Sequence, residues 1–217
     1  IDLGDGSVFR LLKLLSPAVV DDLFLVLVVN ENREAETALA GELEAHHVLV
    51  KPINAAGLSD LMQRYESWRS RKKEPWEDYV QNAHRAAREK KFREAETNYV
   101  EALKQAPDNP IPALKAGMYY FQKPDPGIAE RFFKMALDIK PNYVSAISAL
   151  GSLYLSLGDL DRAEKELRRA QELSPLNPDR LLEVMKVYLL RCMEACKRSI
   201  RLDTANSLAH YVLGKLF

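Results

Sequence analysis

The sequence predicts an α/β region followed by an all-α array of stacked helix pairs. The chain from Trp76 onward superposes on itself at a step of thirty-four residues, with small and aromatic side chains in register. The first seventy residues instead alternate apolar runs typical of strands with helical patterns. We therefore expect two folding units, which 217 residues with 47% hydrophobic content can support.

The α/β region is predicted over residues 1–70. Its first strand signal is LFLVLVV at 23–29, a continuous apolar run that fits a parallel strand covered on both faces. Residues 33–43 have helical periodicity, 48–50 form a second short strand, and 58–68 form a helix with one apolar side. Two strands do not make a stable sheet, so we expect further strands upstream.

A junction is predicted at residues 71–75. It follows the basic run RSRKK at 69–73 and contains a Glu-Pro pair. Cations are favoured at helix C-termini, so the basic run is interpreted as a solvated helix end. A regulatory contact is the alternative.

The helical array is predicted over residues 76–217, and three blocks match without insertion: 76–109, 110–143 and 144–177. Small residues recur where helices cross, because only a small side chain admits a large one from the neighbouring helix. A proline closes each block, since proline does not extend a helix interior. The recurring residues of the second helices are Ala95, Tyr99, Ala102 and Pro107, then Ala129, Phe133, Ala136 and Pro141, then Ala163, Leu167, Ala170 and Pro175.

A fourth unit, residues 178–206, departs from the period. About five residues that the period requires are absent between Tyr188 and Cys192. This indicates either a contracted turn or a mobile loop missing from the chain. Residues 207–217 then open a fifth unit as a terminal helix that caps the array.

The third block carries the most complete motif, which consists of Gly151, Tyr154, Gly158, Ala163, Ala170 and Pro175. It resembles the tetratricopeptide repeat (TPR) family. The resemblance covers more than half of the chain, and it implies an α-solenoid of helix-turn-helix units whose inner groove binds a protein or peptide partner.

The groove positions implied by that resemblance give an apolar stripe beside a serine-lined floor. Such a stripe suits the apolar face of a peptide helix. The alternative is that these side chains pack between helices of the array itself. The Lys and Asn pair with which some relatives clamp a terminal carboxylate is absent here. The predicted groove residues are Leu114, Met118, Phe121, Ser148, Ser152 and Leu155.

The segment VLVKPIN at 48–54 is similar to the last strand of a response-regulator receiver domain, which has a flavodoxin-like fold. The resemblance implies that Lys51 reaches a phosphoryl group, that the Lys51–Pro52 bond is cis, and that Asp2, a poor match, stands nearest the acceptor position. It further implies a histidine kinase as partner, Mg²⁺ as cofactor if the receiver is complete and active, and a homodimer through residues 58–68. No cofactor is otherwise expected.

The sequence supports two alternative functions. The first is a two-component signalling adaptor, in which a receiver-like domain controls a TPR output. The second is a constitutive TPR scaffold or assembly factor with a degenerate, non-phosphorylated receiver used for dimerisation. An enzyme is not expected, because GxSxG, HExxH, P-loop and dinucleotide fingerprints are all absent from the sequence.

The composition argues against nucleic acid and membranes as partners. The 31 basic and 31 acidic residues balance, so there is no net positive field to attract nucleic acid. The apolar run at 23–29 is too short to span a bilayer, and the sequence shows no signal pattern, which predicts a cytoplasmic protein without a membrane partner. Cys192 and Cys196 are expected to be reduced packing residues, because a zinc site needs more ligands.

Overall fold

The computed structural model describes residues 23–29 and 34–216. The α/β region contains β1 (Val26–Val29), α1 (Glu34–Glu42), β2 (His47–Val50) and α2 (Ala55–Ser70). β1 and β2 pair in parallel, with Val26 opposite His47 and Val29 opposite Val50. Predicted strands and helices therefore occur in the expected order.

The sheet of the described region has two strands, and it is smaller than the flavodoxin-like sheet that the receiver resemblance predicts. Leu27 and Val29 are buried against Ala40 of α1, which covers one face. α2 buries none of its own residues. The Lys51–Pro52 bond is cis, as expected, whereas Asp2 lies outside the described residues.

The array begins directly after the junction. There Arg71 forms a bidentate ion pair with Glu77, with distances of 2.6 Å from Nη1 to Oε1 and 2.9 Å from Nη2 to Oε2. Its helices pack as successive antiparallel pairs. They are α3 (Pro75–Arg88), α4 (Phe92–Gln105), α5 (Pro110–Gln122), α6 (Pro126–Ile139), α7 (Val144–Ser156), α8 (Leu160–Leu173), α9 (Pro178–Leu202) and α10 (Ser207–Leu216).

Local chemistry explains where these helices begin. Proline occupies the first turn of α3, α5, α6 and α9, where its missing N–H is not needed. Asn109, Asp125, Asp159 and Asn177 accept hydrogen bonds from backbone N–H groups of the first turn. Gly158 takes a positive φ of 74° in the turn that separates α7 from α8.

Two glycines lie at close crossings within the helix pairs. A Cβ placed on Gly151 of α7 would lie 2.7 Å from Leu167 Cγ of α8. A Cβ on Gly117 of α5 would lie 2.6 Å from the Phe133 ring of α6. The sequence period therefore marks real helix crossings, and the two large side chains fill the space that each glycine leaves.

The fourth unit differs from the expectation of a helix pair. α9 runs without interruption through 25 residues, so the described chain has neither a contracted turn nor a loop between Tyr188 and Cys192. The segment from Tyr188 to Cys192 contains neither glycine nor proline to end the helix. Cys192 is exposed and Cys196 half-buried, so the expectation that both are packing residues fails for Cys192.

Candidate partner-binding groove

The predicted apolar stripe divides into buried and accessible residues. Leu114 is only 4% exposed and belongs to the core between the helices, while Phe121 and Leu155 are half-buried against the same core. Met118 is 43% exposed. The alternative interpretation therefore describes Leu114 best, and Met118 is the stripe residue that a partner can reach.

The predicted serine floor is engaged in hydrogen bonds within the protein. Ser152 donates to Glu183 Oε1 of α9 at 2.6 Å and lies 3.0 Å from the carbonyl oxygen of Ser148. Ser148 Oγ accepts from Nε of Arg180 at 3.0 Å. The serines therefore tie α7 to α9, and their hydroxyl groups are not simply open to solvent.

Beside Met118 lies a cavity of about 330 Å³ between α3 and α5. Its lining mixes aromatic and cationic side chains, and His84 and Tyr99 meet there edge to face at 6.0 Å between ring centroids. No acidic side chain is among the described residues that line it. The lining residues are His84, Ala87, Arg88, Tyr99, Lys115, Met118, Tyr119 and Gln122.

A buried ion pair links the α/β region to the far part of the array. Glu42, the last residue of α1, pairs with the guanidinium of Arg180 in the first turn of α9. The Glu42 carboxylate also accepts hydrogen bonds from Ser174 Oγ and from the Asn177 side chain, each at 2.7 Å. The side chains of Arg180, Ser174 and Asn177 therefore all donate to the Glu42 carboxylate, whose side chain is 8% exposed.

Arg180 is 1% exposed and is held on several sides. One nitrogen, Nη1, donates to the carbonyl oxygens of Ala170 and Ser174 at 2.9 and 2.6 Å. Burial lowers the pKa of Arg180, and the negative charges of Glu42 and Glu183 oppose that shift. Arg180 remains a cation because arginine does not lose its proton in proteins.

Two further hydrogen bonds near the Glu42–Arg180 pair connect the α/β region to the array. Tyr143 donates its hydroxyl hydrogen to Glu44 Oε1 at 2.6 Å, and Ser145 Oγ lies 3.3 Å from the Glu42 carbonyl oxygen. A cavity of about 260 Å³ lies nearer the start of the array, between the two regions. It is lined by Leu23, Leu25, Leu43, Glu44, His46, Arg71, Trp76, Glu77, Val80, Gln81, Ile111 and Lys115.

Sequence reasoning did not find the group formed by Glu42, Ser174, Asn177 and Arg180. Arg180 falls in the first turn of a helix, where a charged residue is usually solvated, and Glu42 lies in the other folding unit. The available signal was that a cation next to a helix N-terminus is unfavourable, so a nearby anion is required.

Comparison with known families decides what the array is. Residues 80–144 and residues 144–175 each match a model described as tetratricopeptide repeat. Residues 80–175 are built of TPR units. The model matches end at residue 175, before α9 and α10.

One curated relative matches part of the chain. It is the uncharacterized protein ycf37 of Pyropia yezoensis, 40% identical over 48 residues, which is 22% of this chain and 27% of the relative. The chain therefore spans about a quarter of that relative's length. This match adds no known activity.

One solved structure shares the fold, and a second one is similar to a lesser degree. The MamA protein has a TM-score of 0.50 at 22% identity, covering 65% of this chain and 80% of MamA. The first TPR of Spaghetti (RPAP3), which was solved with an HSP90 peptide, has a TM-score of 0.49 at 24% identity and covers 52% of this chain and 90% of that one.

The TPR stack also repeats one specific hydrogen bond. Tyr154 donates to Glu130 Oε1 at 2.8 Å, and one unit later Tyr188 donates to Glu164 Oε1 at 2.9 Å. Hydrogen bonds from Lys134 and Tyr154 lower the pKa of Glu130. Successive units of the array are thus joined by a hydrogen bond between a tyrosine and a glutamate at equivalent positions.

The described ranges 23–29 and 34–216 contain no group of three His, Cys, Asp or Glu placed to hold a metal ion. Within the same ranges, none of the helices combines the length and the apolar character needed to cross a bilayer.

Proposed function

We propose that this protein is a TPR scaffold that captures a partner protein through the groove beside Met118. The observation that carries the proposal is that Met118 is accessible at a cavity on the inner helices α3 and α5. Methionine adapts its shape to different apolar partners, and TPR arrays recognise partners with side chains of their inner helices.

The chemistry of the lining suggests the class of partner. Met118 offers apolar contact, and Arg88 and Lys115 add positive charge without an acidic residue among the lining side chains. An amphipathic helix fits this arrangement when acidic residues flank its apolar face. Charge complementarity then selects the partner and its direction.

A matched pair of substitutions tests the proposal. Met118→Asp places a charge at the cavity, whereas Met135→Asp places the same charge on the second helix of the unit, at a residue that is also 43% exposed. Proteins retained by the immobilised full chain should be lost with Met118→Asp and kept with Met135→Asp. Equal retention by both variants contradicts the proposal.

The comparisons support a scaffold and add nothing for signalling, so the phosphorylated adaptor is kept as a second proposal. The parallel strands β1 and β2 are joined by α1, and Lys51 directly follows β2 at the carboxyl end, where sites of open α/β sheets form. Treatment with Mg²⁺ and acetyl phosphate should then add one phosphoryl group to wild type. An unchanged intact mass removes the signalling role, including that of Lys51, Pro52 and Asp2 and of a histidine kinase partner.

We propose the cytoplasm as the location, where both thiols stay reduced. Cell fractionation tests this directly. Recovery of the protein in a membrane fraction contradicts it.

A further inference from the structure

The fourth unit is about five residues shorter than the period requires, and the position of this gap can be read from the register of α9. Leu189 and Leu190 stand in register with Leu155 and Ser156, the end of α7. Arg191 and Cys192 stand in register with Arg162 and Ala163 of α8 once the gap is counted. The absent positions correspond to residues 157–161, which are the turn between α7 and α8 and the first two residues of α8. The fourth unit thus lacks the turn that lets its two helices fold together.

The first half of α9 exposes what the other units bury. In α7, Ile147 is 0% and Tyr154 3% exposed. Gly151 is buried against Leu167 of α8, and Arg162 of α8 lies over the Tyr154 ring. The residues one unit later are Leu181, Met185 and Tyr188, which are 49%, 56% and 40% exposed. This face has the composition of a helix crossing, but no second helix covers it within residues 23–29 and 34–216.

The second half of α9 carries the complementary face. Cys192, Cys196 and Ser199 correspond in register to Ala163, Leu167 and Ala170, all of which are completely buried in the third unit. In α9 these small residues are exposed or half-buried, and Leu202 beyond them is 84% exposed. The segment therefore has the residues of a second TPR helix without a first helix to pack on.

The two halves cannot meet within one continuous helix. Met185 and Cys196 are eleven residues apart, which is about 16 Å along a helix at 1.5 Å per residue. They occupy the positions of Gly151 and Leu167, which lie in direct contact in the third unit. A second copy of the same helix, running antiparallel, brings Met185 of one chain to Cys196 of the other.

We propose that two copies of this chain pair through α9, each supplying the second helix of the other copy's fourth TPR unit. Such an exchange is symmetric, because the same two half-helices meet twice about a two-fold axis near residues 190 and 191. It covers Leu181, Met185 and Tyr188 on both chains. Shortened connections are a general cause of exchanged elements, since the chain has no slack to reverse direction.

A disulfide placed across the proposed contact distinguishes the two chains. In Met185→Cys combined with Cys192→Ser, Cys196 is the only other thiol of the same chain, and the proposal brings the introduced thiol to Cys196 of the second chain. Mild oxidation should give a covalent dimer on a non-reducing gel. Met135→Cys combined with Cys192→Ser is the matched control and should stay monomeric on the gel.

Restoring the turn gives the second test. Insertion of Leu-Gly-Asp-Leu-Asp, the sequence of residues 157–161, between Leu190 and Arg191 should let α9 fold back as a pair. Light scattering should show wild type at twice the chain mass and the insertion variant at the single mass, with unchanged helical circular dichroism. The proposal is overturned by a monomeric wild type, or by a disulfide within one chain in the Met185→Cys variant without the insertion.

Discussion

The carboxylate of Glu42 pairs with the guanidinium of Arg180, a residue 138 positions further along the chain. The two side chains are 8% and 1% exposed, so the pair is shielded from water. It connects the end of α1 to the start of α9. Removal of either partner would leave the other as a buried charge without compensation.

The first prediction concerns that pair. Glu42→Ala should lower the free energy of unfolding by about 3 kcal/mol or more, since the Arg180 cation stays buried without compensation. Urea denaturation followed by circular dichroism measures the loss. Glu34→Ala, on the exposed first turn of α1, is the control and should change stability little. Equal effects of both substitutions would show that the pair contributes nothing.

The second prediction concerns the α7 and α8 crossing. Gly151→Ala should destabilise the protein by about 1 to 3 kcal/mol, because the added Cβ meets Leu167 Cγ at 2.7 Å and the Leu167 backbone nitrogen at 3.2 Å. Gly127→Ala is the control, since its added Cβ meets nothing within 4 Å apart from its chain neighbours and the backbone of its own helix. It should be neutral or slightly stabilising in a helix. Thermal unfolding of both variants checks the difference.

The third prediction concerns the pH dependence of Glu130. Hydrogen bonds from Lys134 and Tyr154 hold the pKa of Glu130 below its ordinary 4.5 in the folded protein. The unfolded chain therefore binds the proton first, so this stabilisation is complete above pH 4.5 and is lost as the pH falls through the folded pKa. Glu130→Gln should reduce that part of the acid sensitivity in urea titrations between pH 5 and pH 3. An unchanged acid profile would refute it.

The fourth prediction concerns His46. Burial and the charge of Arg71 lower the pKa of His46 from 6.5, and its Nδ1 accepts a hydrogen bond from the Leu25 N–H at 3.1 Å. Below pH 6.5 the unfolded chain takes up a proton that the folded protein resists, so stability falls as the pH drops through this range. His46→Gln, which does not titrate, should lose this dependence between pH 7.5 and pH 5.5. Stability of wild type that does not change over that range contradicts the prediction.

The helices of the array were predictable because their packing is periodic. Gly151 and Ala163 recur in step with residues of the other units, and each crossing involves neighbours within one block. Local sequence therefore contains both partners of these contacts. The strands at 26–29 and 47–50 were predictable for a similar reason, since their apolar runs are continuous.

The candidate site was predictable only in part. Register indicated an inner position for Met118, but it gave Leu114 the same role although that side chain is 4% exposed. The Glu42 and Arg180 pair was not predicted, because a cation at a helix N-terminus calls for an anion but does not identify one 138 residues away. The continuity of α9 was missed because the period predicted a turn, while Leu189, Leu190 and Arg191 are themselves good helix formers.

The position of Glu42 also restricts how the gene can change. TPR arrays tolerate duplication or deletion of whole units, because each unit contacts only its neighbours. Here α1 precedes all the units yet is anchored at Arg180, beyond the third one. Loss or gain of one unit before Arg180 would move the anchor a full helix pair away from α1. The number of units between the two residues is therefore set by the reach of the α/β region.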